Sequence, residues 1–220
     1  MTAEMRYNME GFNKLNSPES NLHEVEERAI LDQGQEISIQ QIILAEGGKY
    51  LNKEIIDDIY FCPSDVISNE DMEALGLDKE IIRLRLVKTT ESDGQENTET
   101  ILTQKHMSNG DYGDWVETNN PREGDHLKEE TKNLQTKYGL KPFFVLSKTR
   151  TNWQLEDTTL SFDVVPDFGT VLEAEKITTA EQTPQVKIDL QETVKRLGVR
   201  PEQKPKTSIT SQLRRRYAFF

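Results

Sequence analysis

Hydrophobic and polar residues alternate along much of the chain in short runs, which is the pattern of β-strands in a half-buried sheet. Turn sequences such as SDG (92–94), SNGDYG (108–113) and PDFG (166–169) separate several of these runs. The alternation predicts the strands Leu22–Leu31, Ile59–Cys62, Ile81–Val87, Glu99–Lys105, Tyr112–Glu117, Phe143–Arg150, Trp153–Val165 and Thr170–Ile177.

Segments with a helical period lie between and after these strands. They predict the helices Gln35–Gly47, Arg122–Tyr138 and Val186–Leu197, the last ended by Gly198 and Pro201. A chain of 220 residues suits one domain, which we expect over 21–200. Residues 1–20 are polar and aperiodic and predict a loose leader. The remainder, 201–220, is a tail whose basic end, QLRRRYAFF (212–220), is expected to be a solvated helix end or a lid.

Composition narrows the classes of function. The formal net charge of −12 and the pI of about 4.8 argue against a surface that coats nucleic acid. The single Cys62 rules out an internal disulfide and is expected to be a small buried residue. The sequence has no apolar run of membrane length, so a cytoplasmic protein without membrane contact is expected. Neither of the two glycine-rich nucleotide-binding motifs, GxGxxG and GxxxxGK[ST], is present in the sequence. Its oligomeric state cannot be read from the sequence.

Charged residues recur at alternate positions of the predicted strands. Successive strand residues point to opposite faces, so Glu24, Glu26 and Arg28 share one face. The same alternation pairs Arg83 with Arg85, Lys148 with Arg150 and Glu173 with Glu175, and Lys105 and Asp163 add single charges to two further strands.

Two arrangements explain these charged faces. One is the wet face of an ordinary antiparallel sheet. The other is a closed barrel with a charged lumen and an apolar outer face, in which the charges would be costly to desolvate unless ions filled the lumen. Carboxylates bind hard cations such as Mg²⁺ or Mn²⁺, and Arg and Lys match phosphate oxygens. A polyphosphate carried with its metal ions would satisfy both sets.

These residues resemble those of the CYTH superfamily, the triphosphate tunnel metalloenzymes. The N-terminal signature of that family is ExExK, and Glu24-Val25-Glu26-Glu27-Arg28 matches it with Arg in place of Lys. The match continues in order through DDIYF (57–61), RLR (83–85), LTQK (102–105), KTR (148–150), Asp163 and DFGTVLEAE (167–175). The resemblance implies an α+β fold in which a closed antiparallel barrel of about eight strands forms a charged tunnel flanked by helices.

The resemblance also implies roles for single residues. The metal ligands for Mg²⁺ or Mn²⁺ would be Glu24, Glu26, Glu173 and Glu175, with Asp163 as the ligand of a second ion. The phosphate-binding residues would be Arg28, Arg83, Arg85, Lys105, Lys148 and Arg150. Catalytic roles fall to Arg28, Lys105 and Glu117, although the guanidinium of Arg28 would be a poor proton acceptor.

The implied activity is hydrolysis of a triphosphate by attack of a metal-activated water, on inorganic tripolyphosphate, thiamine triphosphate or a nucleoside triphosphate. One alternative is a class IV adenylyl cyclase, in which the ribose 3′-hydroxyl of ATP attacks the α-phosphorus and releases pyrophosphate. Another is a sensor that binds a triphosphate or nucleotide without turnover. An RNA 5′-triphosphate is a lesser possibility, supported only by the basic tail. No sequence element decides among these activities.

Overall fold

Eight antiparallel strands close into a barrel in the computed structural model, which describes residues 22–74, 80–107, 114–207 and 209–218. The strands are β1 (Leu22–Leu31), β2 (Lys49–Pro63), β3 (Glu80–Glu91), β4 (Glu96–Met107), β5 (Asp114–Glu123), β6 (Leu140–Leu155), β7 (Thr158–Val165) and β8 (Gly169–Thr179).

The order of the strands around the barrel is β1-β5-β4-β3-β2-β6-β7-β8, and β8 pairs with β1 along its length. The seam between β1 and β5 has the shortest printed register, with Glu24 opposite Trp115 and Val25 opposite Asp114. Because this order closes on itself, the predicted closed barrel is confirmed.

Helices cover the outside and one end of the barrel. They are α1 (Gln35–Ala45), α2 (Asn69–Ala74), α3 (Leu127–Tyr138), α4 (Thr183–Arg196) and α5 (Ile209–Tyr217), with a 3₁₀ turn at Pro201–Gln203. Gly139 ends α3 in the left-handed conformation with φ 64°, the usual place for glycine at a helix C-terminus. Because these elements supply apolar side chains to the strands, the outer barrel face can be hydrophobic.

The hydrophobic core is a coat around the barrel and does not fill it. One cluster joins outward residues of β1, β7 and β8 to α1 and α4, through side chains such as Leu160, Leu172 and Leu190, which are fully buried. A second joins β3 and the start of β6 to Leu134 of α3. A third lies at one end of the barrel, where Ile209 and Leu213 of α5 meet Phe144. Away from this apolar end, the inward positions of the strands are left for polar side chains.

The pattern of hydrophobic and polar residues predicted some strands and helices correctly and misplaced others. The bounds predicted for β1 are confirmed, and the other strands and the three helices exist with shifted ends. The break predicted between residues 150 and 153 is wrong, because β6 continues to Leu155 and the chain turns at Glu156, which has a positive φ of 54°. Ile59–Cys62 is only the end of a strand that begins at Lys49. Helix α2 had no predicted counterpart, and α5 begins at Ile209 in the tail whose end was expected to be a solvated helix end or a lid.

Several expectations concern single features. Cys62 is buried as expected, and burial raises the pKa of its thiol to about 11. Within the described ranges, the structure has no helix long and apolar enough to cross a membrane. The predicted leader (1–20) and the turn at 108–113 lie outside the described residues.

We predict that Leu160→Ala lowers the free energy of unfolding by roughly 2–5 kcal/mol, because it removes a fully buried side chain from the coat between β7 and the helices. Ile188→Ala on α4 is the matched control, since that residue is 50% exposed. It should lower the free energy of unfolding by about 0.5 kcal/mol or less. Chemical denaturation of both variants measures the difference. Equal losses would contradict the placement of the core outside the barrel.

Candidate functional site

The barrel encloses a cavity of about 430 Å³ whose wall is mainly charged. Every residue that the sequence analysis selected as a metal ligand, a phosphate-binding base or a catalytic group lines this cavity. They are Glu24, Glu26, Arg28, Arg83, Arg85, Lys105, Glu117, Lys148, Arg150, Asp163, Glu173 and Glu175.

Strand register explains why these side chains meet. Each occupies an inward position of its strand, and the antiparallel pairing sets particular residues opposite one another. Arg28 of β1 is opposite Glu173 of β8, Lys105 of β4 is opposite Glu117 of β5, and Arg150 of β6 is opposite Asp163 of β7. The charged faces read from the sequence therefore combine into one site.

The acidic wall of the cavity is formed by β1, β5 and β8. Glu26 lies directly opposite Glu175 in the β1–β8 ladder, an arrangement of like charges that destabilises a sheet. Burial and the neighbouring carboxylates Glu175, Glu117 and Glu26 raise the pKa of Glu24 to about 8, although Lys105 opposes them. Burial, with Glu173 and Glu26, also raises the pKa of Glu175. Among the cavity-lining residues, these three strands carry five carboxylates and one base, Arg28, so the wall is short of positive charge.

Lys105 lies between two carboxylates of the acidic wall. Its Nζ is 2.6 Å from Glu24 Oε1 and 3.1 Å from Glu117 Oε2. Burial opposes the charge of Lys105, but Glu26, Glu24 and Glu117 outweigh that effect and raise its pKa. Burial likewise opposes ionisation of Glu117, and Lys105 with Arg83 lowers its pKa to about 2. Lys105 stays protonated and Glu117 stays ionised at neutral pH.

Arg28 connects the ExExR segment to β8. Its Nη2 donates to Glu26 Oε2 at 2.6 Å, and its Nε lies 2.8 Å from Glu173 Oε1. Burial alone would lower the pKa of Arg28, but Glu173 and Glu26 raise it. The guanidinium therefore keeps its charge and is not a proton acceptor.

The basic wall is formed by β3 and β6. Burial and the adjacent Arg150 lower the pKa of Lys148, even though Lys148 Nζ lies 2.5 Å from Asp163 Oδ2. Arg150 donates to both oxygens of Asp163 at 2.6 and 2.7 Å, and its Nη2 also reaches Glu173 at 2.5 Å. The four bases of β3 and β6 face two buried aspartates, Asp58 and Asp163, so positive charge exceeds negative charge at this wall.

Arg83 is held more loosely than the other bases. Its Nη2 donates to Thr103 Oγ1 at 3.2 Å, and its Nε is 3.9 Å from Asp58, beyond hydrogen-bond distance. The Nε atom is buried and has no hydrogen-bond partner among the residues that the structure describes. A buried donor without an acceptor is costly, so an oxygen supplied by a ligand would stabilise this position.

Asp58 is a site residue that the sequence analysis did not select. It is fully buried and accepts hydrogen bonds from Arg85 Nε at 2.6 Å and Nη2 at 2.8 Å. Burial opposes ionisation, but Arg85 and Arg83 outweigh it and lower the pKa of Asp58. The sequence did contain a signal for this position, because Asp58 lies two residues from Ile56 and from Tyr60 and therefore shares their face of β2. Only the register of the full-length β2 separates Asp58 from the outward-facing Asp57.

The apolar part of the cavity wall lies where α5 packs against the barrel. Ile209 and Leu213 of α5 line the cavity together with Tyr60, Leu146, Val165 and Val171. The C-terminal segment, expected as a solvated helix end or a lid, thus contributes apolar side chains to the site.

The acidic wall suits a hard divalent cation in its chemistry. In the described part of the chain, no group of three or more Asp, Glu, His or Cys side chains is arranged to hold a metal ion directly. The donors are nevertheless oxygen atoms, which Mg²⁺ and Mn²⁺ prefer, and the facing Glu26 and Glu175 repel each other. Because a cation at Glu24, Glu26 and Glu175 would relieve the crowding that raises two of their pKa values, these residues fit such an ion.

Comparison with known families gives one match over most of the chain. The model of the CYTH domain matches residues 22–209, which include all eight strands. No curated protein matches the chain by sequence.

Solved structures share the fold at low sequence identity. PH1819 protein from Pyrococcus horikoshii is 21% identical with a TM-score of 0.69, and the match covers 88% of this chain and 99% of that one. A putative adenylate cyclase from Vibrio parahaemolyticus is 12% identical with a TM-score of 0.63, covering 86% and 95%. The putative adenylyl cyclase HpAC1 from Hippeastrum, described as having a dominant triphosphatase activity, is 14% identical with a TM-score of 0.57, covering 89% and 96%.

We predict that the metal-free protein loses thermal stability as the pH rises from about 5 to about 8. The pKa of Glu24 is raised from 4.5 to about 8, so between these values the folded state holds a proton that the unfolded state has released. The resulting stabilisation is complete below pH 4.5 and is lost as the pH passes about 8. Unfolding temperatures measured in a chelator should therefore fall by roughly a few degrees over this range.

Glu24→Gln carries no titrating proton at this position and should show a smaller fall. Glu181→Gln, at an exposed residue before α4, is the control and should behave as the wild type. A slope that is the same in Glu24→Gln and in the wild type would contradict the raised pKa of Glu24.

Proposed function

The chain belongs to the CYTH domain family, and we propose on that basis that it hydrolyses a triphosphate in the barrel cavity with the help of a divalent metal ion. The observation that carries this proposal is the separation of charged side chains in the cavity, with four bases on β3 and β6 and four carboxylates beside a single arginine on β1 and β8. A ligand that brings both phosphate oxygens and cations would satisfy both walls.

The basic wall would bind the phosphate chain. Arg83 has a buried Nε without an acceptor, and Lys148 has a pKa lowered by burial and by Arg150. Phosphate oxygens accept charge-assisted hydrogen bonds from guanidinium and ammonium groups. Binding of a triphosphate would therefore complete the hydrogen bonding of Arg83 and stabilise the protonated form of Lys148.

The acidic wall would hold Mg²⁺ or Mn²⁺ through Glu24, Glu26 and Glu175, while Glu173, which the family resemblance also implied as a ligand, would instead hold two neighbouring arginines. Such an ion neutralises phosphate oxygens and lowers the pKa of a bound water. Of these carboxylates, Glu173 already accepts contacts from Arg28 and Arg150 at 2.8 and 2.5 Å. It thus joins the acidic wall to the basic wall and fixes the distance between them.

The predicted catalytic residues divide into charge carriers and a carboxylate. Arg28 and Lys105 keep their protons at neutral pH, so their role would be to stabilise negative charge on the phosphate that is transferred. Glu117 is ionised and receives a hydrogen bond from Asn119 Nδ2 at 2.7 Å. Its Oε atoms could orient an attacking water, while a pKa of about 2 makes it a weak base.

The test is an analysis of products from the purified protein with Mg²⁺ or Mn²⁺ and, in parallel, tripolyphosphate, thiamine triphosphate and ATP. Orthophosphate release is expected and would rank the substrates. Cyclic AMP with pyrophosphate from ATP would instead identify an adenylyl cyclase. Tight binding of a triphosphate without any product would identify a sensor.

We predict that Glu175→Gln lowers metal-dependent turnover by at least about 100-fold, because the loss of a metal ligand should exceed the 10–100-fold cost of an outer-shell change. The substitution keeps the shape of the side chain and removes like-charge repulsion from Glu26, so the protein should remain folded. Glu181→Gln is the matched control and should retain full turnover. Wild-type turnover in a folded Glu175→Gln protein would sink the assignment of the metal ligands.

A further inference from the structure

Two buried aspartates occupy corresponding positions beside the two pairs of bases. Asp58 of β2 lies opposite Arg85 of β3, and Asp163 of β7 lies opposite Arg150 of β6. In each case a second basic residue lies two positions before the arginine. It is Arg83 in RLR (83–85) and Lys148 in KTR (148–150).

Both carboxylate oxygens of Asp58 accept hydrogen bonds from Arg85. Its Oδ1 accepts from Arg85 Nε at 2.6 Å and its Oδ2 from Arg85 Nη2 at 2.8 Å, and Arg83 Nε lies 3.9 Å from Oδ1. The side chain is 0% exposed. A ligand in the cavity thus meets the guanidinium groups, and the carboxylate lies behind them.

Asp163 makes the same arrangement across the β6–β7 pair. Its Oδ1 accepts from Arg150 Nε at 2.6 Å, and its Oδ2 accepts from Arg150 Nη2 at 2.7 Å and from Lys148 Nζ at 2.5 Å. The side chain is 4% exposed. Both oxygens are used by cations, as in Asp58.

A two-point bond fixes the plane of an arginine and leaves other donors available. Arginine carries more N–H donors than one carboxylate can accept, and its planar fork is held rigidly when Nε and Nη2 are both bonded. Arg85 and Arg150 line the cavity in this fixed orientation. Their remaining donors therefore point to defined positions before a substrate arrives, which reduces the ordering that binding requires.

We propose that Asp58 and Asp163 are matched positioning residues, each of which orients one base-x-base pair for the phosphate chain, and that Asp163 is not a metal ligand. This assignment rests on the proposed function, since the bases are taken to bind phosphate. It replaces the role that the family resemblance implied for Asp163, and it adds Asp58 to the site.

The experiment separates affinity for phosphate from affinity for metal. Calorimetry measures binding of imidotriphosphate, whose bridging nitrogens resist hydrolysis, in saturating Mg²⁺, and a separate titration measures Mn²⁺ binding without it. We expect Asp58→Asn and Asp163→Asn to weaken imidotriphosphate binding by about tenfold or more, the scale of one hydrogen bond to a charged group. Their Mn²⁺ affinity should stay within about twofold of the wild type.

Two variants supply the controls. Asp57→Asn changes the same residue type one position away, on the outer face where Asp57 accepts a hydrogen bond from Ser147 Oγ at 2.5 Å, and should leave both affinities unchanged. Glu175→Gln should weaken Mn²⁺ binding, which shows that the metal titration detects the loss of a ligand.

A double-mutant cycle between Asp58 and Arg85 tests whether Asp58 acts through the arginine. Arg85→Lys keeps the charge but cannot make the two-point bond, so adding Asp58→Asn to it should weaken binding by much less than Asp58→Asn does alone. Arg85→Lys, with Asp58 retained, also tests the proposal if Asp58→Asn fails to fold, since it should weaken imidotriphosphate binding by about tenfold.

Three results would overturn the proposal. They are a loss of Mn²⁺ affinity in Asp163→Asn as large as in Glu175→Gln, imidotriphosphate affinities of both aspartate variants equal to that of Asp57→Asn, and additive effects of Asp58→Asn and Arg85→Lys. Failure of the proposed function gives a different result, namely imidotriphosphate binding by a wild-type protein that releases no orthophosphate from any triphosphate. Absence of imidotriphosphate binding in the wild type would overturn both.

Discussion

Ion pairing between neighbouring strands is the constraint on which this barrel depends. Each charged side chain that enters the lumen loses hydration worth several kcal/mol, and only a close partner of opposite charge offsets that loss. Arg85 meets Asp58, Arg150 meets Asp163 and Arg28 meets Glu173, all directly across a strand pair. A shift of one residue in any of these ladders would turn charged side chains outward and apolar ones inward. The pairs therefore fix the register as well as the site.

The pairing is uneven, and the unevenness gives the cavity its chemistry. At β1 and β8 the carboxylates outnumber their partners, and burial together with these neighbours raises the pKa values of Glu24 and Glu175. At β6 burial, with the adjacent Arg150, lowers the pKa of Lys148. The outer coat makes this possible, because helices bury the outward residues of the same strands and stabilise the barrel without filling it. Stability and ligand binding thus use opposite faces of each strand.

The sequence predicted the lumen well because charged residues inside strands leave a strong alternating signal. All the selected residues line one cavity, and the bounds of β1 were correct. Asp58 was not selected, since two adjacent aspartates occur in β2 and local pattern alone does not decide which one faces inward. The junction of β6 and β7 was misplaced because residues 147–152 are all polar, so no alternation is visible there, while the turn uses Glu156 with a positive φ and no glycine. The packing of α5 against the barrel depends on long-range contacts that no local pattern encodes.

The separation of charge can be tested most directly by crystallography of the protein with imidotriphosphate and Mn²⁺, using anomalous scattering to locate the metal. We expect an anomalous peak beside Glu24, Glu26 and Glu175, and phosphate oxygens hydrogen-bonded to Arg83, Arg85 and Lys148. Metal bound at Asp58 or Asp163, or a triphosphate that lies outside the barrel, would contradict it.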